Sequence, residues 1–186
     1  VLVNWYDSAV DHAEAGVFRL SDGELLVRGV VSDDAIFTSS GGIIAAPNER
    51  IERIDPDSFD VISTLPRSTS GTIQLAASRD ERTLLDVSFS GQARLYDLTR
   101  GIPLGDAIDT AVDGTEQGLE SGAQLTTDGK TLLTNSPTGV LAWDLRPAAQ
   151  ARAACAIAGR ELSAEEWKTY FPGEKPVATC ATVSGR

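Results

Sequence analysis

The feature that most restricts this chain is a recurrence. Four segments end in an aromatic or β-branched residue followed by aspartate: VLVNWYD (Val1–Asp7), NERIERID (Asn48–Asp55), SGQARLYD (Ser90–Asp97) and TGVLAWD (Thr138–Asp144). Their aspartates are separated by 48, 42 and 47 residues. A second marker recurs upstream of the last two. SRDERTLLDVS (Ser78–Ser88) aligns with TTDGKTLLTNS (Thr126–Ser136), which places Asp80 and Asp128 48 residues apart. A unit of this length cannot bury its apolar face alone and must stack on its neighbours. A period of roughly 40–45 residues with four short strands per unit fits the blades of a β-propeller.

The unit around Asp97 is the clearest. It reads as strand Thr72–Ala77, turn Ser78–Arg82, strand Thr83–Phe89, turn Ser90–Gly91, strand Gln92–Tyr96 and a short outer strand near Ile102–Leu104. These runs alternate and are bounded by Gly, Asp and Ser. The last unit reads as Gly122–Leu125, Thr131–Asn135 and Val140–Trp143, and Leu25–Val31, Ala35–Ser39 and Ile43–Ala46 form earlier strands. Val1–Asp7 reads as a third strand, so the chain is expected to begin inside a blade. The expected fold is all-β, with three to four propeller blades over residues 1–146 and a helical tail over 147–186. Asp55, Asp97 and Trp143–Asp144 are the structural blade positions, their carboxylates bonding turn backbone.

Two stretches break the pattern. Asp106–Ser121 reads as a long acidic loop without a basic residue, and loops of that length are commonly functional. Asp106, Asp109, Asp113 and Glu116 are therefore the candidate partner-binding residues, the partner being a basic protein. After Asp144 the pattern turns helical. Pro147 suits a first turn and Gly159 a stop. Ser163 and Glu166 then form a capping box, with Leu162 and Trp167 as its staple, ahead of a helix over Ala164–Tyr170.

LYD (Leu95–Asp97), AWD (Ala142–Asp144) and TDGKTLL (Thr127–Leu133) resemble the strand ends and turns of WD-repeat proteins. The segment Ala154–Cys180 is similar to the tail after the last blade in large actinobacterial WD-repeat proteins, many of which carry an N-terminal signalling or transcription-regulator module. The family's Gly-His pair is absent, since His12 is the only histidine, and Tyr96 and Ile54 stand where Trp is usual. The resemblance implies a cytoplasmic interaction or sensor scaffold, the C-terminal part of a larger regulatory protein, with no catalytic residues and no cofactor. The ring would be completed by further blades of the parent protein or by a second copy. The rival is a closed form in which Val1–Trp5 supplies the last blade's missing strand. Cys155 and Cys180 lie 25 residues apart. An intracellular compartment favours thiols, whereas the recurrence of both cysteines in the resembled tail favours a disulfide.

A net charge of −11 argues against nucleic-acid phosphate and anionic membrane as partners. No apolar run reaches the roughly 20 residues of a membrane span. The chain lacks methionine, as expected of a processed chain or a piece of a larger one. Gly129-Lys130-Thr131 ends like a phosphate loop, but position 124 is Gln where that loop needs Gly. Asp55–Asp60 carries three carboxylates without the central Gly and distal Glu of a calcium loop. The alternative function is a propeller-type hydrolase or lyase, which would need titratable groups converging on one pocket.

Overall fold

The computed structural model describes residues 2–7, 12–31, 34–47, 50–66, 71–110, 122–136 and 138–180. They are mostly β, with two short helices. The chain separates into two compact units, Val1–Ala142 and Trp143–Arg186.

The strands form four antiparallel meanders, each strand pairing with the next in sequence. The first sheet is β1 (Leu2–Asp7), β2 (His12–Phe18) and β3 (Leu25–Val31). The second is β4 (Ala35–Phe37), β5 (Ile43–Ala45), β6 (Arg50–Ile54) and β7 (Val61–Pro66). The third is β8 (Thr72–Ala77), β9 (Thr83–Ser88), β10 (Gln92–Asp97) and β11 (Ile102–Pro103). A further short strand, β12 (Ile108–Asp109), also pairs with β10. The last sheet is β13 (Ala123–Leu125), β14 (Thr131–Ser136) and β15 (Gly139–Asp144). The opening strands lie one beside the next: β1 beside β4, β4 beside β8, β8 beside β13.

Alternation explains why the second sheet is apolar on both faces. Successive side chains of a strand point to opposite sides. Ile44 and Ala46, with Ile51 and Leu65, pack against Leu75, Leu84, Tyr96 and Leu98 of the third sheet. Ile43 and Ala45, with Ala35 and Ile54, form a separate cluster that Val17 of β2 joins. Thus β5, a run of three apolar residues, is buried throughout because it is covered on both sides. Leu84 and Leu85 of β9 are likewise both fully buried, although neighbours in a strand face opposite ways. Burying a Leu or Ile side chain is worth about 1.5–3 kcal/mol, so these inter-sheet layers hold the unit together.

The third sheet follows the strand reading closely. The N-terminal part departs from it. Leu2–Asp7 forms β1, which pairs with β2 and lies beside β4. The aromatic-Asp ending is a turn signal, and a turn follows a first strand as readily as a third. His12–Glu14 belongs to β2. The acidic loop also starts later than expected. Ile108 and Asp109 pair with Ala93 and Gln92, and the buried Thr110 donates its N–H and hydroxyl to the Gly91 carbonyl. The remainder of that loop, with Asp113 and Glu116, lies outside the described residues.

The second unit holds α1 (Pro147–Ala158) and α2 (Ala164–Tyr170). Pro147 opens α1, and Gly159, at φ 65°, closes it by donating to the Cys155 carbonyl. The capping box is complete: Ser163 Oγ accepts from Glu166 N–H at 3.2 Å, and Glu166 accepts from Ser163 N–H at 2.8 Å. Trp167 is the unit's only buried residue among the described ones. Its indole N–H donates to the Glu174 carbonyl, and its ring lies 4.8 Å from that of Phe171. A unit with so little core needs another constraint. The structure bonds Cys155 to Cys180. Closing a loop of this length contributes about 3.5 kcal/mol in the chain-entropy account.

Gly129 tests the packing of neighbouring sheets. It sits at φ 68°, and a Cβ there would stand 2.8 Å from Ser78 Cβ of the preceding sheet. Gly101 shares the left-handed backbone, at φ 67°, but has open space around it. Gly101→Ala is expected to cost the backbone term alone, about 1 kcal/mol. Gly129→Ala is expected to cost at least about twice that, because the two turns must separate. Equal losses in thermal or urea unfolding would mean that these turns are not in contact.

Candidate binding face

The turns joining first to second strands share one chemistry. In the third sheet, Ser78 Oγ donates to Asp80 at 2.7 Å and accepts from Thr83 N–H at 3.0 Å, while Asp80 accepts from Arg82 N–H. In the last sheet Thr126 Oγ1 donates to Asp128 at 2.8 Å and accepts from Thr131 N–H at 3.0 Å, while Asp128 accepts from Lys130 N–H. The hydroxyl of Ser78 and the amide of Arg82 hold the Asp80 carboxyl below its usual range. Thr126 and Lys130 do the same for Asp128. Gly129 and Lys130 lie in this turn, and Thr131 opens β14.

These turns are latched to one another. Arg79 N–H donates to the Thr127 carbonyl at 2.7 Å, from the third sheet to the last. Ser40, in the β4–β5 turn, donates its N–H and hydroxyl to the Glu81 carboxylate of the third sheet. Burial works against ionisation of Glu81, but the two Ser40 bonds outweigh it and lower its pKa. Just before β4, Asp34 accepts from Leu75 N–H of β8 at 2.6 Å. Ser40–Glu81 and Asp34–Leu75 both span 41 residues, and Arg79–Thr127 spans 48, so each latch joins positions one repeat apart. The aligned Ser78 and Thr126 turns were legible in the sequence. The Asp34 and Glu81 partners were not, because nothing local marks a contact 41 residues away.

The aspartates ending third strands also bond turn backbone. Asp55 accepts from the N–H groups of Ser58 and Asp57, which lower its pKa. Asp97 is lowered by the Thr99 hydroxyl first and then by the Arg100 and Thr99 amides. In the second unit Asp144 is lowered to about 2 by the Arg146 guanidinium and then the Arg146 amide. The residues preceding them differ: Ile54 and Tyr96 are buried, whereas Trp143, on the sheet-edge strand β15, is 41% exposed. Asp106 and Asp109 are exposed near the third sheet's outer strands. Among the described residues no group of three or more His, Cys, Asp or Glu is placed to hold a metal ion. No described helix is long and apolar enough to cross a membrane.

One cavity of the first unit has a lining the sequence did not flag. It occupies about 290 Å³ and is bounded by Gln74 of β8, Gly122, Ala123 and Gln124 around β13, Leu133–Asn135 of β14 and Val140 of β15. Among the described residues its polar side chains are three carboxamides and a hydroxyl, with no charged group. A comparison with protein-family models found no match, and one with curated proteins found none either.

The second unit supplies a pH test. Arg160 grips Glu166 through both terminal nitrogens, at 2.7 and 2.8 Å. This bond, then the Ser163 amide, lowers the Glu166 carboxyl from 4.5 to about 2. A depressed folded-state pKa stabilises fully above the ordinary value and is lost as pH falls through the folded one. Order in α2, read from backbone chemical shifts of Ala164–Tyr170, should therefore decline between pH 4.5 and about 2. Glu166→Gln should flatten that decline. Wild-type shifts that stay unchanged down to pH 2 would contradict the assigned network.

Proposed function

We propose that this chain is a binding scaffold, an arc of a WD-repeat-like β-propeller that presents loops to a protein partner. The observation that carries the reading is the succession of opening strands, β1, β4, β8 and β13, each beside the next, with latches one repeat apart joining the second sheet to the third and the third to the last. Sheets stacked in this way would radiate from a common axis and leave their turns at its two ends, where a rigid frame carries variable loops. The Tyr96 and Asp97 pairing of core residue and turn carboxylate matches the family's strand end.

The arc would be completed by further blades of a parent protein or by a second copy. The last sheet favours this. Its outer strand β15 ends the sheet, whereas the second and third sheets carry a fourth strand at the corresponding place. Val140, Leu141 and Trp143 of β15 are substantially exposed. A strand at the end of a sheet with exposed apolar side chains invites another strand.

The partner is inferred to be a basic protein that meets Asp106, Asp109 and the acidic residues following them. The cytoplasmic placement implied by the resemblance stands in opposition to the Cys155–Cys180 bond, since a reducing compartment keeps such pairs as thiols.

Affinity capture at two salt concentrations, with wild type and an Asp106→Lys/Asp109→Lys variant, tests the reading. A specific partner should be retained at low salt, released as salt rises and lost to the variant. A partner indifferent to both changes would remove the acidic surface from the account. Failure to retain any partner specifically would count against the scaffold itself.

A further inference from the structure

We propose that the cavity between β8 and the β13–β15 sheet binds an uncharged amide-bearing segment, a short stretch of partner main chain. The proposal rests on the scaffold reading and gives the scaffold a ligand class. Gln74 and Gln124, on adjacent opening strands, line one space, and Asn135 lines it from β14. Among the described residues the Gln74 and Gln124 carboxamides make no side-chain hydrogen bond. Each carboxamide offers two donors and an acceptor. A secondary amide, which donates once and accepts once, complements such a pair. The remaining wall is Ala123, Leu133 and Val140, which would receive the apolar flanks of the ligand.

The lining also says what would be refused. A charged ligand would lose hydration with no opposite charge to replace it. A sugar ring would find hydroxyl partners but no aromatic face, since no aromatic residue lines the space among the described residues. At about 290 Å³ the cavity stands at the lower end of ligand sites, enough for a short extended segment. Gly122 helps keep it open. A Cβ there would stand 2.8 Å from Asn135 Nδ2 and would displace that carboxamide.

The experiment is a titration of the full ¹⁵N-labelled chain with N-acetyl-alanine N-methylamide, a blocked neutral peptide unit. The side-chain amide resonances of Gln74, Gln124 and Asn135 should shift together and saturably. Gln124 is exposed, so Gln124→Ala leaves the core intact. It should weaken binding roughly two- to tenfold, the worth of one neutral hydrogen bond. Gln74→Ala should act in the same direction, and Asp57→Asn, in an exposed turn of the second sheet, should leave binding unchanged. Absence of saturable shifts, equal shifts with acetate or methylammonium, or stronger binding of glucose would each overturn the proposal. If the blocked peptide fails while a salt-sensitive partner is still captured, the cavity assignment falls and the scaffold reading stands.

Discussion

The structure depends on hydrogen bonds that reach one repeat forward. A four-stranded meander of this size has two apolar faces and cannot be stable alone. Its neighbour must be held at the right distance and angle for those faces to meet. Asp34 on Leu75 N–H, Ser40 on Glu81 and Arg79 N–H on the Thr127 carbonyl do this at the opening-strand end. Each ties a turn or strand edge to its counterpart in the next sheet. The apolar layers behind them, Ile44 and Leu65 against Leu84 and Tyr96, then close. The latches supply direction and spacing, and the layers supply most of the free energy.

Repetition was legible because local chemistry repeats. Ser78 and Asp80, and Thr126 and Asp128, bond the same backbone positions of their turns, so the strands on either side fall where alternation places them. The helical tail was legible for a similar reason. Ser163, Glu166 and Gly159 act within a few residues of themselves. Legibility failed where meaning depends on a distant partner. The aromatic-Asp ending of Val1–Asp7 marks a turn but not which strand precedes it, and β1 lies beside β4. Ile108–Asp109 sits in an acidic run, yet its backbone completes a ladder with β10.

The candidate site was less legible than the fold. Charge drew attention to Asp106 and Asp109, which are exposed and separate from the cavity lining. Gln74, Gln124 and Asn135 carry no charge and belong to three different strands, and only the stacking of two sheets brings them together. A recognition surface built from neutral carboxamides leaves no compositional mark. The tail obeys a different logic, with one buried tryptophan, a capping box and a disulfide in place of a core.

The Leu75 amide offers the most direct test of the latched arc. β8 is the first strand of its sheet, and the Leu75 N–H points to Asp34 instead of a ladder partner. An amide on a free sheet edge exchanges rapidly with solvent, whereas one closed by a neighbouring sheet opens only with it. Native-state hydrogen exchange should therefore show Leu75 and Arg79 protected alongside the core amides of Leu84 and Leu85. Exchange of Leu75 and Arg79 at the rate of the exposed Asp22–Gly23 turn would contradict the account, because the sheets would then not be joined at their opening strands.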